Sequence, residues 1–403
     1  MKRKFLCFVL ALVYILTACS KTDRALDGSY KIVIVTGDKT TQSNEAIRGV
    51  NDLIRRYGDA NIDKKGLIKH VRYSKAAMKS SDLLSNKIVS IAEDLSVKAI
   101  VVNKALKGTV AAFTQIREIR PDIVLLAAEP EEQANDIQAV ADAVASQDFV
   151  SRGVTIVWAA RKLAADRFVY LSFPRHLENK NLNLQRQVMK EACEDLGLTF
   201  EAKMIRDPIY ADSQYLDVYI RSLIKAELAK NGDKLAFFCT DDTYSAPIIT
   251  ELLESNGGIF VEAASPSPIN GYAEALGADV DEKSNFQAII EKFDITMEKR
   301  IAANRFGTWV YSYSSTLSSA LGEYAKRIIE GQAKKHCLSD LEKAFQYYTP
   351  GVKWRCAAYV DPKTGIRADN YLLMYMDTHI FGGGTLNTTS LAISEKYRNI
   401  SPQ

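Results

Sequence analysis

Ile32-Val33-Ile34-Val35-Thr36-Gly37-Asp38 is a run of five β-branched residues that breaks into a polar turn at Thr36-Gly37-Asp38. It shows no alternation of polar and apolar residues, so the strand it forms is covered on both faces, as in a parallel sheet. Ala46 to Tyr57 follows with the spacing of an amphipathic helix. The succession then recurs. Leu67 to Val71 reads as a strand and Asp82 to Asp94 as a helix, with Leu83, Leu84, Ile88, Ile91 and Ala92 on one stripe. Ala99 to Val102 is a strand ending at Asn103, Gly108 to Ile119 a helix stopped by Pro121, and Ile123 to Ala127 a strand ending at Glu129-Pro130. Strand–helix units in this order predict a parallel sheet with helices on both faces.

A second copy of the architecture follows. Ala139 to Ala145 reads as a crossing strand and Phe149 to Ala165 as a helix. Phe168 to Phe173 opens a new sheet and breaks at Pro174-Arg175-His176. Leu184 to Leu196 is helical with Gly197 as its stop, Phe200 to Ile205 a strand, Tyr215 to Lys230 a helix. Leu235 to Cys239 is a strand opening into Thr240-Asp241-Asp242, Ala246 to Ser255 a helix, and Ile259 to Ala263 a strand ending at Ser265-Pro266-Ser267-Pro268. Trp309 to Tyr313 reads as extended, Leu317 to Ile329 as helical, and Ala357 to Val360 and Tyr371 to Met376 as strands. The fold class expected is α/β: two doubly wound parallel-sheet lobes joined by crossing segments, with a ligand cleft between them. At 403 residues, with apolar residues at 47%, two domains are the natural size.

The N-terminus gives an address. Lys2-Arg3-Lys4 is a cationic region, and Phe5 to Leu16 is an unbroken apolar run of twelve residues. A bilayer crossing needs roughly 20, so the run reads as the core of a signal peptide. Leu16-Thr17-Ala18-Cys19 resembles the bacterial lipobox, and that resemblance implies a lipid on Cys19 and cleavage before it. A plain signal peptide that happens to contain a cysteine is the alternative. Ser20 to Ser29 is polar, as a tether is. Of 52 basic residues, the leader removes three, leaving 49 against 49 acidic ones. A neutral body of this kind argues against nucleic acid as a partner. The expected location is the bacterial cell envelope, facing outward from the cytoplasm on a lipid anchor.

Ligands in open α/β sheets bind outside the carboxyl ends of the strands, and two facing lobes make a cleft. The polar residues closing each strand are therefore the candidates: Thr36, Asp38, Asn103, Glu129, Arg175, His176, Thr240, Asp241 and Asp242. Each has a plainer role beside it; the aspartates could cap the following helices, and Arg175 and His176 could be solvated. If Trp309 to Ser314 is a strand, Tyr311 and Tyr313 share one face, either lining the cleft for stacking or packing in the core. Pro266 and Pro268 stiffen the neighbouring loop.

Catalytic motifs are missing. No Gly-x-x-x-x-Gly-Lys-Ser/Thr loop or Gly-x-Ser-x-Gly elbow occurs, and Gly382-Gly383-Gly384 is followed by Thr385. The four histidines show no His-x-x-x-His spacing. Asp59, Asn61 and Asp63 begin like a calcium loop, but Lys64 occupies the sharp-turn position and His70 the twelfth. The expectation is no enzyme, cofactor or metal. Cys337 and Cys356 stand nineteen apart, able to pair in an oxidising compartment or to stay reduced.

A lipobox, two strand–helix lobes and a return segment together resemble the type I solute-binding proteins, the extracytoplasmic receptors of ABC transporters. Gln147-Asp148 before Gly153 resembles their first inter-lobe crossing. Phe238-Cys239-Thr240-Asp241-Asp242 resembles their second-lobe strand, whose polar pair hydrogen-bonds ligand hydroxyls or amines. More narrowly, several stretches resemble domain-of-unknown-function family 3798: Ile34-Val35-Thr36-Gly37 with Gln42-Ser43, Ala99 to Asn103, Ser172 to His176, Phe237 to Asp242, Pro266-Ser267-Pro268 and Gly307 to Tyr313. Asp241 stands where that group is expected to carry Asn.

The resemblance implies a signal peptide over 1–18, a tether over 19–29, lobes over 30–147 and 148–306, and a return segment over 307–403. It implies a monomeric, lipid-anchored receptor that captures a small polar ligand and presents it to an ABC transporter permease. A sensor that signals to a partner protein, or an envelope enzyme on the same scaffold, are the alternatives.

Overall fold

A computed structural model of the chain describes residues 30–38, 41–281 and 283–400. The leader, the tether and Cys19 lie outside the described residues. Among these residues no helix is long and apolar enough to cross a membrane.

The first lobe begins with β1 (Lys31–Gly37), α1 (Thr41–Tyr57), β2 (Ile68–Tyr73), α2 (Ser81–Ile91) and β3 (Val97–Asn103). It continues with α3 (Thr109–Ile119), β4 (Val124–Ala128), α4 (Ala134–Val140) and β5 (Ala143–Gln147). The second lobe starts at α5 (Phe149–Lys162), then β6 (Arg167–Ser172), α6 (Pro174–Leu177), α7 (Lys180–Leu196), β7 (Thr199–Met204) and α8 (Ser213–Asn231). After it come β8 (Leu235–Cys239), α9 (Ser245–Glu254), β9 (Ile259–Phe260), α10 (Tyr272–Leu276), α11 (Phe286–Lys299) and β10 (Gly307–Trp309). The chain returns through α12 (Tyr313–Ile329), α13 (Leu338–Tyr348), β11 (Trp354–Val360) and β12 (Arg367–Met376), and ends with β13 (Thr378–Ile380), β14 (Gly384–Leu386) and α14 (Glu395–Arg398).

A seven-stranded sheet runs β11-β12-β5-β4-β3-β1-β2, and a four-stranded sheet β7-β6-β8-β9. All pairings within these two sheets are parallel except β11 with β12, and a small third sheet, β10-β13-β14, is antiparallel. The doubly wound parallel architecture expected from the sequence is present in both lobes. Its reason is visible in β1, where Ile32 and Ile34 join the core under α1 and α12 while Val33 and Val35 join the core under α2 and α3. The second lobe repeats this, with Val169 and Leu171 on one side of β6 and Phe168 and Tyr170 on the other.

Three sequence expectations are corrected. Residues 139–145 are not one strand: α4 runs to Val140 and β5 begins at Ala143, because the Asp142 carboxylate between them accepts the Leu125 N–H at 2.8 Å and pairs with Arg117 at 2.8 Å. The strand expected over Ile259 to Ala263 stops at Phe260, whose N–H goes to Arg305 O at 2.9 Å. Trp309 to Tyr313 is not one extended segment. The Ser312 hydroxyl accepts the Ser315 N–H at 3.3 Å, capping α12 and starting a helix at Tyr313. Tyr311 and Tyr313 therefore do not share a strand face. Cys193, Cys239, Cys337 and Cys356 are all free thiols.

Helix α12 returns to the first lobe and packs on α1 at very short range. A Cβ added at Gly49 would stand 2.0 Å from Ser315 O, and one at Gly322 would stand 2.4 Å from Leu53 Cδ1. In an exposed helix Gly→Ala gains up to about 1 kcal/mol. Gly49→Ala is expected to do the reverse and cost about 1–3 kcal/mol through overpacking. A thermal melt checks this, and an unchanged or raised Tm contradicts the packing described.

Candidate functional site

In the second lobe the strand order reverses between β6 and β8, the place where such sheets open a crevice. Ser172 closes β6 and Thr240 follows β8; their hydroxyls lie 3.0 Å apart across that reversal. His176 Nδ1 is 3.0 Å from the same Thr240 Oγ1, and His176 Nε2 is 3.9 Å from Asp241 Oδ2. Phe173 lies beneath the imidazole, with ring centroids 4.1 Å apart. Arg175 makes a two-point contact with Asp207, Nε to Oδ2 at 2.7 Å and Nη2 to Oδ1 at 2.9 Å. Arg175, His176, Thr240 and Asp241 thus form one group, built on the short helix α6 and the end of β8.

Asp241 also caps the next turn, accepting the Thr243 N–H at 3.0 Å, so the capping role and a cleft role coexist. Asp242 turns the other way and accepts the Ser265 N–H at 3.0 Å. Burial, with the neighbouring Asp241 charge in support, pushes its carboxyl up to about 6. Burial pulls the His176 imidazole down to about 4, with Arg175 and Lys104 working in the same direction and Asp241 against.

Two of the first lobe's candidates, Asn103 and Glu129, meet the N-terminal end of α12. Asn103 Nδ2 donates to Ser314 O at 3.1 Å and Ser318 Oγ at 2.8 Å. Glu129, with the left-handed backbone that non-glycine residues adopt uncommonly (φ 47°), accepts the Gln147 N–H at 2.7 Å and the Tyr313 hydroxyl. Burial raises its carboxyl above the usual range. Thr36 Oγ1 lies 2.9 Å from His70 Nε2, Thr36 is buried and Asp38 is half-buried. Tyr311 goes elsewhere: its hydroxyl donates to Pro350 O at 3.0 Å and its ring meets the edge of Phe286. Tyr313 is fully buried against Trp309, 5.4 Å between centroids.

Several residues of this region were not foreseen. Lys104 pairs with Glu131 at 3.3 Å and, by its charge, reaches both Glu129 of its own lobe and His176 of the other. Asp207, two residues past the expected strand end at Ile205, obeys the strand-end rule and was findable. Arg152 and Glu262 carried no local signal. They form a fully buried pair, Nη2 to Oε2 at 2.9 Å, while Arg152 also donates to Ala263 O and Ala264 O at 3.0 Å each and to Gln147 Oε1. Glu262 accepts the Thr378 hydroxyl through its other oxygen, and Arg152 Cζ sits 5.2 Å over the Trp309 ring. Gln147, Trp309 and Thr378 lie on the three places where the chain passes between the lobes.

The arrangement supplies hydroxyls, an imidazole held neutral and a carboxylate, the equipment for hydrogen-bonding a polar molecule. It also superficially suggests a Thr-His-Asp relay. That relay lacks a link: 3.9 Å is beyond hydrogen bonding, and the Thr240 hydroxyl is buried and shared with Ser172. No group of three or more His, Cys, Asp or Glu among the described residues is placed to hold a metal.

The two kinds of buried group give opposite pH dependence. Asp242 holds its proton in the folded state up to about 6, so its contribution to stability grows as pH falls from 7 toward its unfolded value near 4. His70 and His176, neutral down to about 4, contribute stability that is lost as pH falls below about 6.5. The difference between Asp242→Asn and the parent isolates the first effect. The variant is expected to melt higher than the parent at pH 7, with the gap narrowing as pH falls toward 4; a constant gap in melts across that range contradicts it.

Comparison with known proteins adds the family. The family model described as "Protein of unknown function (DUF3798)" matches residues 30–307, and a second family model matches residues 318–400. An uncharacterized protein of Treponema pallidum (strain Nichols) is 36% identical over 219 residues, covering 54% of this chain and 97% of its own. Another from the same strain is 35% identical over 179 residues, covering 44% and 80%. Among solved structures, a Clostridium difficile 630 protein provisionally named a transcriptional regulator superposes with a TM-score of 0.72 at 21% identity, over 88% of this chain and 99% of that one. A sugar ABC transporter protein from Actinomyces odontolyticus gives 0.49 at 12% identity, over 77% and 86%. With its match over residues 30–307, this chain belongs to the DUF3798 family of proteins of unknown function.

Proposed function

We propose that the protein is an extracytoplasmic receptor, held to a bacterial membrane by lipid on Cys19, that captures a small polar ligand between its lobes. The observation that carries this reading is the Ser172–Thr240–His176 group at the second lobe's switch point, with Asp241 and the Arg175–Asp207 pair beside it. In this reading a ligand exchanges its water for the polar side chains of that group. Asp241 and Thr240 accept and donate hydrogen bonds, and Arg175, held flat by Asp207, presents an oriented guanidinium. Closure of the lobes about the three crossings is a hinge motion. Delivery of the ligand to an ABC transporter permease completes the role.

Native mass spectrometry of the chain purified without refolding, followed by denaturation, tests this. One small molecule released per chain is the expected result. Arg175→Ala and Asp241→Ala are each expected to weaken its affinity tenfold or more, about 1.4 kcal/mol. Unchanged affinity in both variants overturns the site, and turnover of the molecule overturns the receptor role.

A further inference from the structure

We infer that the edge of the seven-stranded sheet opposite the cleft is a membrane-facing surface, its partner a lipid bilayer; this rests on the lipid-anchored reading above. Parallel strands place all their N-terminal ends on one edge. Tyr30 leads into β1, the sixth of the seven strands, where Lys31 N–H donates to Ser96 O and Ile32 N–H to Leu67 O, each at 2.8 Å. Its hydroxyl is fixed to Glu330 at 2.8 Å. Cys19 precedes Tyr30 by eleven residues, which span at most roughly 40 Å. A lipid there keeps this edge at high effective concentration against the bilayer.

The loops of the same edge are built for that neighbour. Ile62 before β2 is 87% exposed, Leu95 before β3 75%, Ile119 before β4 54% and Ile366 before β12 68%. Single exposed apolar residues are ordinary. Here the bearers are three loops and the last residue of α3, spread from β12 to β2 across six strands, roughly 24 Å of sheet width. Lys64, Lys65, Lys363 and Arg367 are exposed beside them and have no ion pair among the described residues. Most acids of the edge are committed. Asp94 pairs with Lys31 and Lys69, Asp122 with Lys98 and Arg120, and Asp59 and Asp63 hold the amides of Asn61 and Lys65. Glu93, Glu118 and Asp369 are exposed acids that remain, Asp369 beside His336, and Asp63 keeps its charge. Shallow apolar residues among unpaired lysines and an arginine suit the headgroup boundary of an anionic membrane, and the tether supplies the affinity that such residues alone lack.

The test uses the full lipid-modified chain in phosphatidylcholine vesicles, with and without phosphatidylglycerol, carrying acyl-chain bromine. Leu95→Trp and Ile366→Trp are compared with the parent chain and with Ile301→Trp, an exposed position of the second lobe. Quenching at the two first-lobe positions should exceed that at Ile301→Trp roughly twofold or more, and increase with phosphatidylglycerol. A chain that floats with vesicles but shows no such excess overturns the surface and leaves the anchor standing. A chain that does not float overturns both. A blue-shifted Leu95→Trp spectrum without vesicles, at doubled mass, assigns the face to a second copy and likewise overturns the inference.

Discussion

A buried arginine–glutamate pair is the constraint on which the arrangement of the two lobes depends. Arg152 and Glu262 are both removed from water, and an ion taken out of water costs several kcal/mol unless its hydrogen bonds are restored. Here they are restored by the segments that cross between lobes. Gln147 from the first crossing, Thr378 from the third, and the carbonyls of Ala263 and Ala264 complete the pair, while Trp309 from the second covers the guanidinium. Displacing any one crossing strands a charge. The crossings are also bound to one another, since Trp309 pairs with Thr378 in the β10–β13 ladder and the Asp148 N–H reaches Met374 O.

That anchoring ties the first lobe to the second at all three crossings. Above it, Glu129 and Tyr313 close the first lobe's side, and the Ser172, Thr240 and His176 group closes the second's. The buried carboxyls and the two neutral histidines follow from the same geometry, which removes water from polar groups without supplying a full countercharge to each. In the receptor reading, the ligand is what completes these groups.

The architecture was legible because it is written locally. The β-branched run at Ile32–Val35 and the strand-end polar residues at Thr240 and His176 each announce themselves within a few positions. Tyr311 and Tyr313 were misread because β propensity and alternation cannot show a helix start, which the Ser312 hydroxyl decides. Arg152 and Glu262 were invisible for a different reason. They meet across 110 residues, one inside a helix and the other past a two-residue strand, and nothing near either reveals its partner. Lys104 shows the intermediate case: it adjoins the expected Asn103, yet its importance comes from the other lobe.

A double-mutant cycle on the buried pair, read by urea unfolding, tests the central claim most directly. Arg152→Met or Glu262→Gln alone is expected to cost roughly 3–5 kcal/mol, because each leaves the other residue's charge buried and unpaired, and the double variant is expected to cost much less than the sum. Single variants within about 0.5 kcal/mol of the parent, or strictly additive losses, would contradict the claim that this pair holds the crossings together.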